Sequence, residues 1–500
     1  MKVLSSLEPH KVFEYFEEIC SIPHGSSNTK KISEYLVTFS REHDLRYIKD
    51  QSNNVIIFKD GTPGYETSAP VMLQGHMDMV CEKDKDCNID FAHDGLELVL
   101  KDGIISANGT TLGGDDGIAV AYALAILDSS DIPHPPLEAV FTVDEEIGML
   151  GAAAIDCSPL KSKIMLNLDS EDEGYLLVSC AGGVTAASHI PVSHIPAVAR
   201  TLMSINISGL LGGHSGVEID KNRANANILL GRILYTLNKK LSFNLVSVEG
   251  GLKDNAIVKT AVAVIAVDKS DVPAVKDCVS HMEGLFRHEY VVSDPDIKVA
   301  AEITDSSSEV TTNESNTYST PAASANNMMD NISTNRVIAA LVNMPYGIQG
   351  MSSNIEGLVE SSLNLGILKT TDTEVVLSYC VRSSIASRKQ EMLDKITSLT
   401  ELLSGYVTLT GDYPAWEYRQ DSPLRDLMKD IFTEQYGRDP VIQALHAGVE
   451  CGLFAGKIPD LDCVSFGPDM KDIHTTNESM DVESVKRTWE YTLEILKRLK

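Results

Sequence analysis

The chain is 500 residues long, 43% apolar and 23% charged, with a net charge of −29. That length exceeds what one hydrophobic core ordinarily fills, so two domains are expected, and the composition is globular rather than disordered. The acidic balance excludes nucleic acid and anionic membrane surfaces as partners, because both are gripped by basic faces.

Apolar runs such as 261–267 fall far short of the ~20 residues that a membrane span needs. The N-terminal stretch 1–20 carries Glu8, Lys11, Glu14, Glu17 and Glu18 and has no apolar core of a secretory signal, so a cytoplasmic location is expected. Nine cysteines, from Cys20 to Cys463, include no Cys-x-x-Cys pair. They read as free thiols in a reducing compartment rather than a disulfide framework or a thiolate metal site.

Residues 1–185 alternate helical and strand patterns. An amphipathic helix is predicted over 9–19 and a second over 31–43, and 54–59 and 71–74 are short apolar runs of strand type. An Ala-rich helix over 117–127 follows a Gly-Gly-Asp-Asp-Gly turn, and 137–143 and 163–168 read as buried strands. Apolar strands alternating with helices predict an α/β sandwich around a largely parallel sheet.

The texture changes between about 187 and 388. Strand-type runs at 199–207, 256–267 and 374–381 are separated by helices at 225–238, 272–287 and 334–343, and the Ser/Thr/Asn-rich stretch 302–327 reads as an exposed connection. Residues 250–267 and 365–382 both run from a Gly-containing turn into a strand, so two similar βαβ-type units of ~100 residues each are expected. The last part returns to the first texture, with a helix over 424–436, a strand over 463–466 and a terminal helix over 482–499 ending in basic residues, as the helix dipole favours. The order implies one α/β domain built from both chain ends, 1–186 and 389–500, interrupted by an inserted domain over 187–388.

Five short segments place acid or histidine where a predicted strand gives way to a loop, which is where ligands gather in open α/β sheets. His76-Met-Asp78 follows the strand at 71–74; with period two both side chains point the same way, and a ligand His is commonly held by a carboxylate on its other nitrogen. Gly113-Gly114-Asp115-Asp116-Gly117 turns sharply into a helix, and either aspartate could serve as its N-cap. Asp144-Glu145-Glu146 follows the strand at 137–143; three adjacent carboxylates are either a solvated acidic loop or a cation site, where one ligates and a neighbour keeps a lone pair for a proton. Asp169 ends the strand at 163–168, and His474 lies in a loop after 463–466. Each signal is weak alone. Jointly, histidine and carboxylate without a cysteine pair match a zinc-type site, and two ions ~3.5–4 Å apart bridged by a carboxylate form a known hydrolytic device.

This ordered set resembles the M20 family of metallopeptidases, and within it the aminoacyl-histidine (Xaa-His, carnosinase-type) dipeptidase branch, over essentially the whole chain. Leu211-Gly-Gly-His214-Ser-Gly, Gly250-Gly-Leu-Lys-Asp-Asn255, Val359-Glu-Ser-Ser-Leu-Asn-Leu-Gly366 and His446-Ala-Gly-Val-Glu-Cys-Gly452 support it. The resemblance implies a zinc-peptidase α/β/α catalytic domain with an inserted α+β lid, and two Zn2+ per chain with Co2+ or Mn2+ as substitutes. It further implies that Asp115 bridges the ions, that His76 and Asp169 complete one site, and that Glu146 and His474 complete the other. Asp78 would orient His76, Glu145 would be the general base, and His214, Asn255 and Arg382 would bind substrate. Asp116 departs from the usual Asn of the family, and His446 and Glu450 are equally compatible with a pocket, an outer layer or a purely structural pairing.

The implied activity is hydrolysis of small dipeptides, including aminoacyl-histidine dipeptides, by a monomer or homodimer without nucleic acid or membrane partners. The alternatives are an aminotripeptidase or N-acyl amino acid deacylase with the same metal site, or a non-catalytic peptide-binding protein. The last is disfavoured because Asp78, Glu145 and His214 serve turnover and not metal retention.

Overall fold

The computed structural model describes residues 2–304, 310–311, 317–318 and 327–500; most of the Ser/Thr/Asn-rich stretch 302–327 lies outside the described residues. The chain forms two compact units, one of Met1–Cys180, Trp416–Ala444 and Val449–Lys500, the other of Ala181–Ala415 and Leu445–Gly448. The crossings at 180/181 and 415/416 differ from those expected at 186/187 and 388/389. A sheet accounts for the shift. Gly182–Pro191 pairs antiparallel with both Glu374–Ser383 and Tyr406–Tyr413, so these strands, and the helix Ala386–Leu402 between them, stay with their hydrogen-bonding partners.

The first unit is built on an eight-stranded sheet. Across it run Arg46–Lys49, Val55–Lys59, Leu137–Thr142, Val71–His76, Ile164–Asn167, Asp462–Ser465, Tyr175–Cys180 and Val441–Leu445. The four strands starting at 137, 71, 164 and 462 are parallel to their neighbours. Outside them the pairings of Val55–Lys59 with both its neighbours, and of Asp462–Ser465 with Tyr175–Cys180, are antiparallel. The sheet is thus mixed, with a parallel centre, rather than parallel throughout. Central parallel strands are covered on both faces, and Val71–His76 and Leu137–Thr142 are buried at every position, which is why they read as mostly apolar runs.

The helix Gly114–Asp128 is apolar on all sides and buried from Gly114 to Leu127, as a helix covered all round must be. It lies so close to the strand Val71–His76 that a Cβ on Gly75 would sit 2.6 Å from the Ala119 methyl; glycine is required there. A second sheet of four strands contains the hairpin Met470–Lys471/Ser479–Asp481 beside Ile104–Ala107 and Leu98–Lys101. The hairpin's tip presents residues 472–478. The terminal helix Val482–Arg498 is capped by the Asp481 carboxylate, which accepts from the Ser484 N–H, and ends in Lys497 and Arg498.

The second unit holds a nine-stranded sheet in the order Lys298–Ile303, Thr201–Ser208, Ala261–Val267, Phe243–Gly250, Val359–Thr370, Glu374–Ser383, Gly182–Pro191, Tyr406–Tyr413, with Gly347–Met351 added against Val359–Thr370. Its pairings are antiparallel, so the units are not of the expected βαβ kind. The order nevertheless reads the same from both edges. On each side a hairpin meets the sheet centre, and the helices Ala226–Asn238 and Val272–Glu289 on one side stand in the chain order of Asn331–Asn343 and Ala386–Leu402 on the other. One apolar core, including Ile205, Leu229, Ile233, Ile265, Phe286, Leu365 and Leu377, joins both halves.

Among the described residues no helix is long and apolar enough to cross a membrane, and all nine cysteines are free thiols. Ile265 is fully buried mid-strand. Ile265→Ala is expected to lower the stability of the second unit by about 2–5 kcal/mol, transfer and cavity terms together, measured as a shifted urea midpoint.

Candidate metal centre

The carboxyl ends of the central parallel strands carry the chemistry. His76 is the last residue of its strand; Glu145 and Glu146 follow Leu137–Thr142, and Asp169 follows Ile164–Asn167. Asp115 arrives from the opposite side, on the first turn of the buried helix. Two glycines make that approach possible, with Gly113 at φ 65 in the left-handed region. The helix does not begin regularly, because Asp115 and Asp116 have non-helical backbones, and neither side chain caps it. The orphan N–H groups are taken up instead by Glu478, whose carboxylate accepts from Leu112 N (2.8 Å), Gly113 N (3.2 Å), Gly114 N (2.9 Å) and Asp115 N (3.4 Å). Glu478 shares the hairpin tip with His474, which sits at φ 62.

These segments converge. His76 Nε2 stands 3.0 Å from Asp115 Oδ1 and 3.8 Å from Asp169 Oδ1. His474 Nε2 stands 3.2 Å from Asp115 Oδ2 and 3.0 Å from Glu146 Oε1. The two oxygens of Asp115 thus face the two imidazoles, one each. Potential ligand atoms of His76, Asp115 and Glu146 form one tight group, and those of His76, Asp116 and Asp169 another. Asp116 is drawn in where a helix cap was one reading: its Oδ2 accepts from the His76 backbone N–H at 3.0 Å, while Oδ1 has no partner among the described residues.

Asp78 acts differently from a simple histidine partner. His76 Nδ1–H points at the Asp78 carbonyl oxygen, 3.0 Å away, with the carboxylate at 3.5 Å. That donation leaves the Nε2 lone pair free to ligate. The Asp78 carboxylate accepts from Ser26 Oγ at 2.8 Å and Glu145 N at 3.0 Å, so it ties the two acidic strand ends together.

The electrostatics are those of crowded like charge. Burial, reinforced by the charges of Asp115, Glu145 and Glu171, raises the Asp169 carboxyl well above the usual range despite His76. Burial and the neighbouring Asp169 and Asp115 do the same to Asp116. Glu145 is pushed up to about 8 by burial and by Glu450, Glu146 and Asp115, against the pull of His76. The imidazoles answer in kind: His474 is raised to about 10 by hydrogen bonds to Asp115 and Glu146, with burial opposing. For His76, burial is overcome by hydrogen bonds to Asp115 and Asp78. Among the described residues the ion pairs of Asp115, Glu146 and Asp169 are made with these histidines and not with lysine or arginine. Two imidazoles and several carboxylates, crowded and short of fixed cations, are a donor set fitted to divalent zinc-like ions.

The remaining residues expected at the site, His214, Asn255 and Arg382, belong to the second unit. There, His214 Nδ1 accepts from Gly216 N at 3.2 Å and Val217 N at 3.3 Å. The proton of the neutral ring is therefore on Nε2, and burial and the charge of Arg382 keep the ring neutral by lowering its pKa. The Asn255 carbonyl accepts from Ser215 N, joining it to the His214 loop. Arg382 is buried and donates from Nη1 to the Tyr413 hydroxyl at 2.9 Å; its Nε has no partner among the described residues. His446 also lies in this unit, with Nε2 2.7 Å from Ser362 Oγ, and is driven down to about 3 by burial, Arg382 and His214.

Ser26 and Glu478 carry no motif of their own and escape sequence reading. The spacing of Glu478 from His474 is the one available signal, since a hairpin tip that brings in a ligand can also brace the loop it faces.

Comparison with known proteins identifies the family. Residues 72–498 match the model of peptidase family M20/M25/M40. The chain is similar to a cytosol non-specific dipeptidase of Escherichia coli (strain K12), 34% identical over 100% of this chain and 99% of the relative. Among solved structures it is similar to an aminoacylhistidine dipeptidase from Vibrio alginolyticus, with TM-score 0.89 and 34% identity over 99% of this chain and 97% of that one. An aminopeptidase from Bacillus cereus shares the fold alone, with TM-score 0.52 and 16% identity over 99% of each chain.

Because the metal-free His474 imidazole titrates at about 10, it carries a proton at neutral pH that an incoming cation must displace. Affinity for Zn2+ or Mn2+ is expected to rise between pH 6 and 8, with protons released on binding. Calorimetric titration in two buffers of different ionisation enthalpy measures both; a pH-independent affinity without proton release contradicts the assignment.

Proposed function

We propose, from the premise that the chain belongs to peptidase family M20/M25/M40, that it is a metal-dependent dipeptidase whose substrates include aminoacyl-histidine dipeptides. The observation that carries this reading is the meeting of His76, Asp115, Glu146, Asp169 and His474, with the half-buried Glu145 beside them. The Vibrio protein's name points to Xaa-His dipeptides and the Escherichia coli protein's name to broader use; a histidine-containing substrate satisfies both. The cytosol named for the Escherichia coli relative suits nine free thiols, and we place this protein there too.

In the proposed centre two zinc ions would be held by His76, Asp115 and Asp169 and by Asp115, Glu146 and His474; Co2+ or Mn2+ would substitute. Such a pair supplies Lewis-acid polarisation of the scissile carbonyl and brings the pKa of water toward ~7. The chain's own residues do the rest. Glu145 takes the proton of the attacking water and returns it to the leaving amine. Asp78, accepting from the Glu145 backbone N–H, fixes where that base sits. From the second unit, the Nε2–H of neutral His214 is a donor suited to a developing oxyanion. Asn255 and Arg382 bind the substrate, the buried guanidinium with its unused Nε being suited to a terminal carboxylate.

Glu145→Ala is expected to retain metal by elemental analysis while kcat falls about 10²–10⁴-fold; near wild-type turnover overturns the role. A panel of dipeptides, tripeptides and N-acetyl amino acids, with release of free histidine followed with and without chelator, decides the substrate class. Turnover confined to tripeptides or acylated amino acids replaces the dipeptidase reading with another hydrolysis of the same family, and chelator-resistant turnover removes the metal.

A further inference from the structure

The layer beneath the metal ligands is polar where the strands are otherwise apolar. Gln74, Thr142 and Asn167 stand at the ends of three neighbouring parallel strands, and the register sets Gln74 beside Asn167 and His76 beside Thr142. Each is essentially unexposed. They are linked: Gln74 Oε1 accepts from Asn167 Nδ2 at 2.5 Å, and Gln74 Nε2 donates to Thr142 Oγ1 at 3.3 Å. Both Gln74 Nε2, at 2.6 Å, and Thr142 Oγ1, at 2.7 Å, donate to one oxygen, Oε2 of Glu450. Glu450 begins the helix Glu450–Lys457, is fully buried, and its other oxygen, Oε1, has no partner among the described residues.

Each strand end in this network leads within a few residues to part of the proposed centre: Gln74 to His76, Thr142 to Glu145 and Glu146, and Asn167 to Asp169. We infer that Glu450 is a positioning residue for the metal centre: its single acceptor oxygen gathers Gln74 and Thr142, and through Gln74 Asn167, so that the three ligand-bearing strand ends keep a fixed spacing. The inference rests on the metal-centre reading under Proposed function. A buried carboxyl with an idle second oxygen is costly unless hydrogen bonded, and it stands where the like charges above push the strand ends apart. The hydrogen bonds ask for an acceptor at Oε2, not for a charge, so a glutamine at this position keeps them.

The test compares full-length wild type, Glu450→Ala and Glu450→Gln by chelator-competition titration of Mn2+ and Zn2+ and by dipeptide turnover. Outer partners of metal ligands typically change affinity by about 10–100-fold. Glu450→Ala is accordingly expected to weaken metal binding about 10-fold or more, and to lower kcat while KM moves less than about twofold. Glu450→Gln is expected to restore both to within about threefold, as the retained acceptor requires. Wild-type affinity and kcat in Glu450→Ala overturn the inference, as does a glutamine variant as impaired as the alanine one. Should Glu450→Ala not fold, Thr142→Val removes one of the two donors at constant shape; unchanged metal affinity there overturns the inference, and weakened affinity supports it. A wild type that binds neither ion overturns the metal-centre reading itself, a result distinct from the variants matching a wild type that binds.

Discussion

Carboxylates removed from water repel one another, and the first unit concentrates that repulsion at the carboxyl ends of its central strands. Asp115, Asp116, Asp169, Glu145 and Glu146 crowd a space where the available positive charge comes from two imidazoles. The raised carboxyls of Asp116, Asp169 and Glu145 and the raised imidazoles of His76 and His474 are two sides of one imbalance. A divalent cation relieves it, since it accepts the lone pairs that protons otherwise occupy. The arrangement is stable only because the surrounding fold holds the charges in place.

That holding is done largely by groups that touch no substrate. Glu478 gathers the N–H groups of the Gly-Gly-Asp turn, which fixes where Asp115 projects, and it does so from the same hairpin tip that brings His474. Asp78 joins the His76 strand end to the Glu145 loop through Ser26 and the Glu145 amide. Below, Glu450 collects Gln74 and Thr142. Gly75 and the buried helix Gly114–Asp128 set the depth of the assembly, since any side chain at 75 would drive Asp116 and Ala119 away. Ligand positions good to a fraction of an ångström demand such over-determination, because a misplacement of about 1 Å in a site of this kind costs orders of magnitude in rate.

Much of this was legible beforehand in the residues. Apolar runs over 71–74, 137–143 and 163–168 gave the strands that became Val71–His76, Leu137–Thr142 and Ile164–Asn167, since a strand covered on both faces leaves a mostly apolar signature. The acid or histidine after each run marked residues that the structure brings together, and the Gly-Gly-Asp-Asp-Gly turn marked Asp115. Less legible were strands whose pattern is mixed. Gly182–Pro191 alternates buried and half-buried residues and Tyr406–Tyr413 is mostly exposed, so the expected boundary at 186/187 falls inside the first strand and that at 388/389 ahead of the second. Polar residues closing apolar strands, Gln74, Thr142 and Asn167, were a readable hint of a buried network, but the acceptor shared by Gln74 and Thr142 lies about three hundred residues or more further along.

By itself, then, the sequence determined local matters: which segments are strand or helix, which side chains are chemically able to ligate, and that two textures alternate along the chain. Periodicity, turn residues and side-chain chemistry are short-range properties, and short windows carry them. Only the tertiary structure decided which oxygen of Asp115 faces which histidine, that Asp116 turns to the His76 amide rather than capping its helix, that Asp78 presents its carbonyl to His76 and its carboxylate to Glu145, and that Glu450 lies under the centre. Apart from the His76–Asp78 contact, which spans two residues, those choices are made by hydrogen-bond geometry between segments far apart in the chain, and no short window of sequence contains both partners.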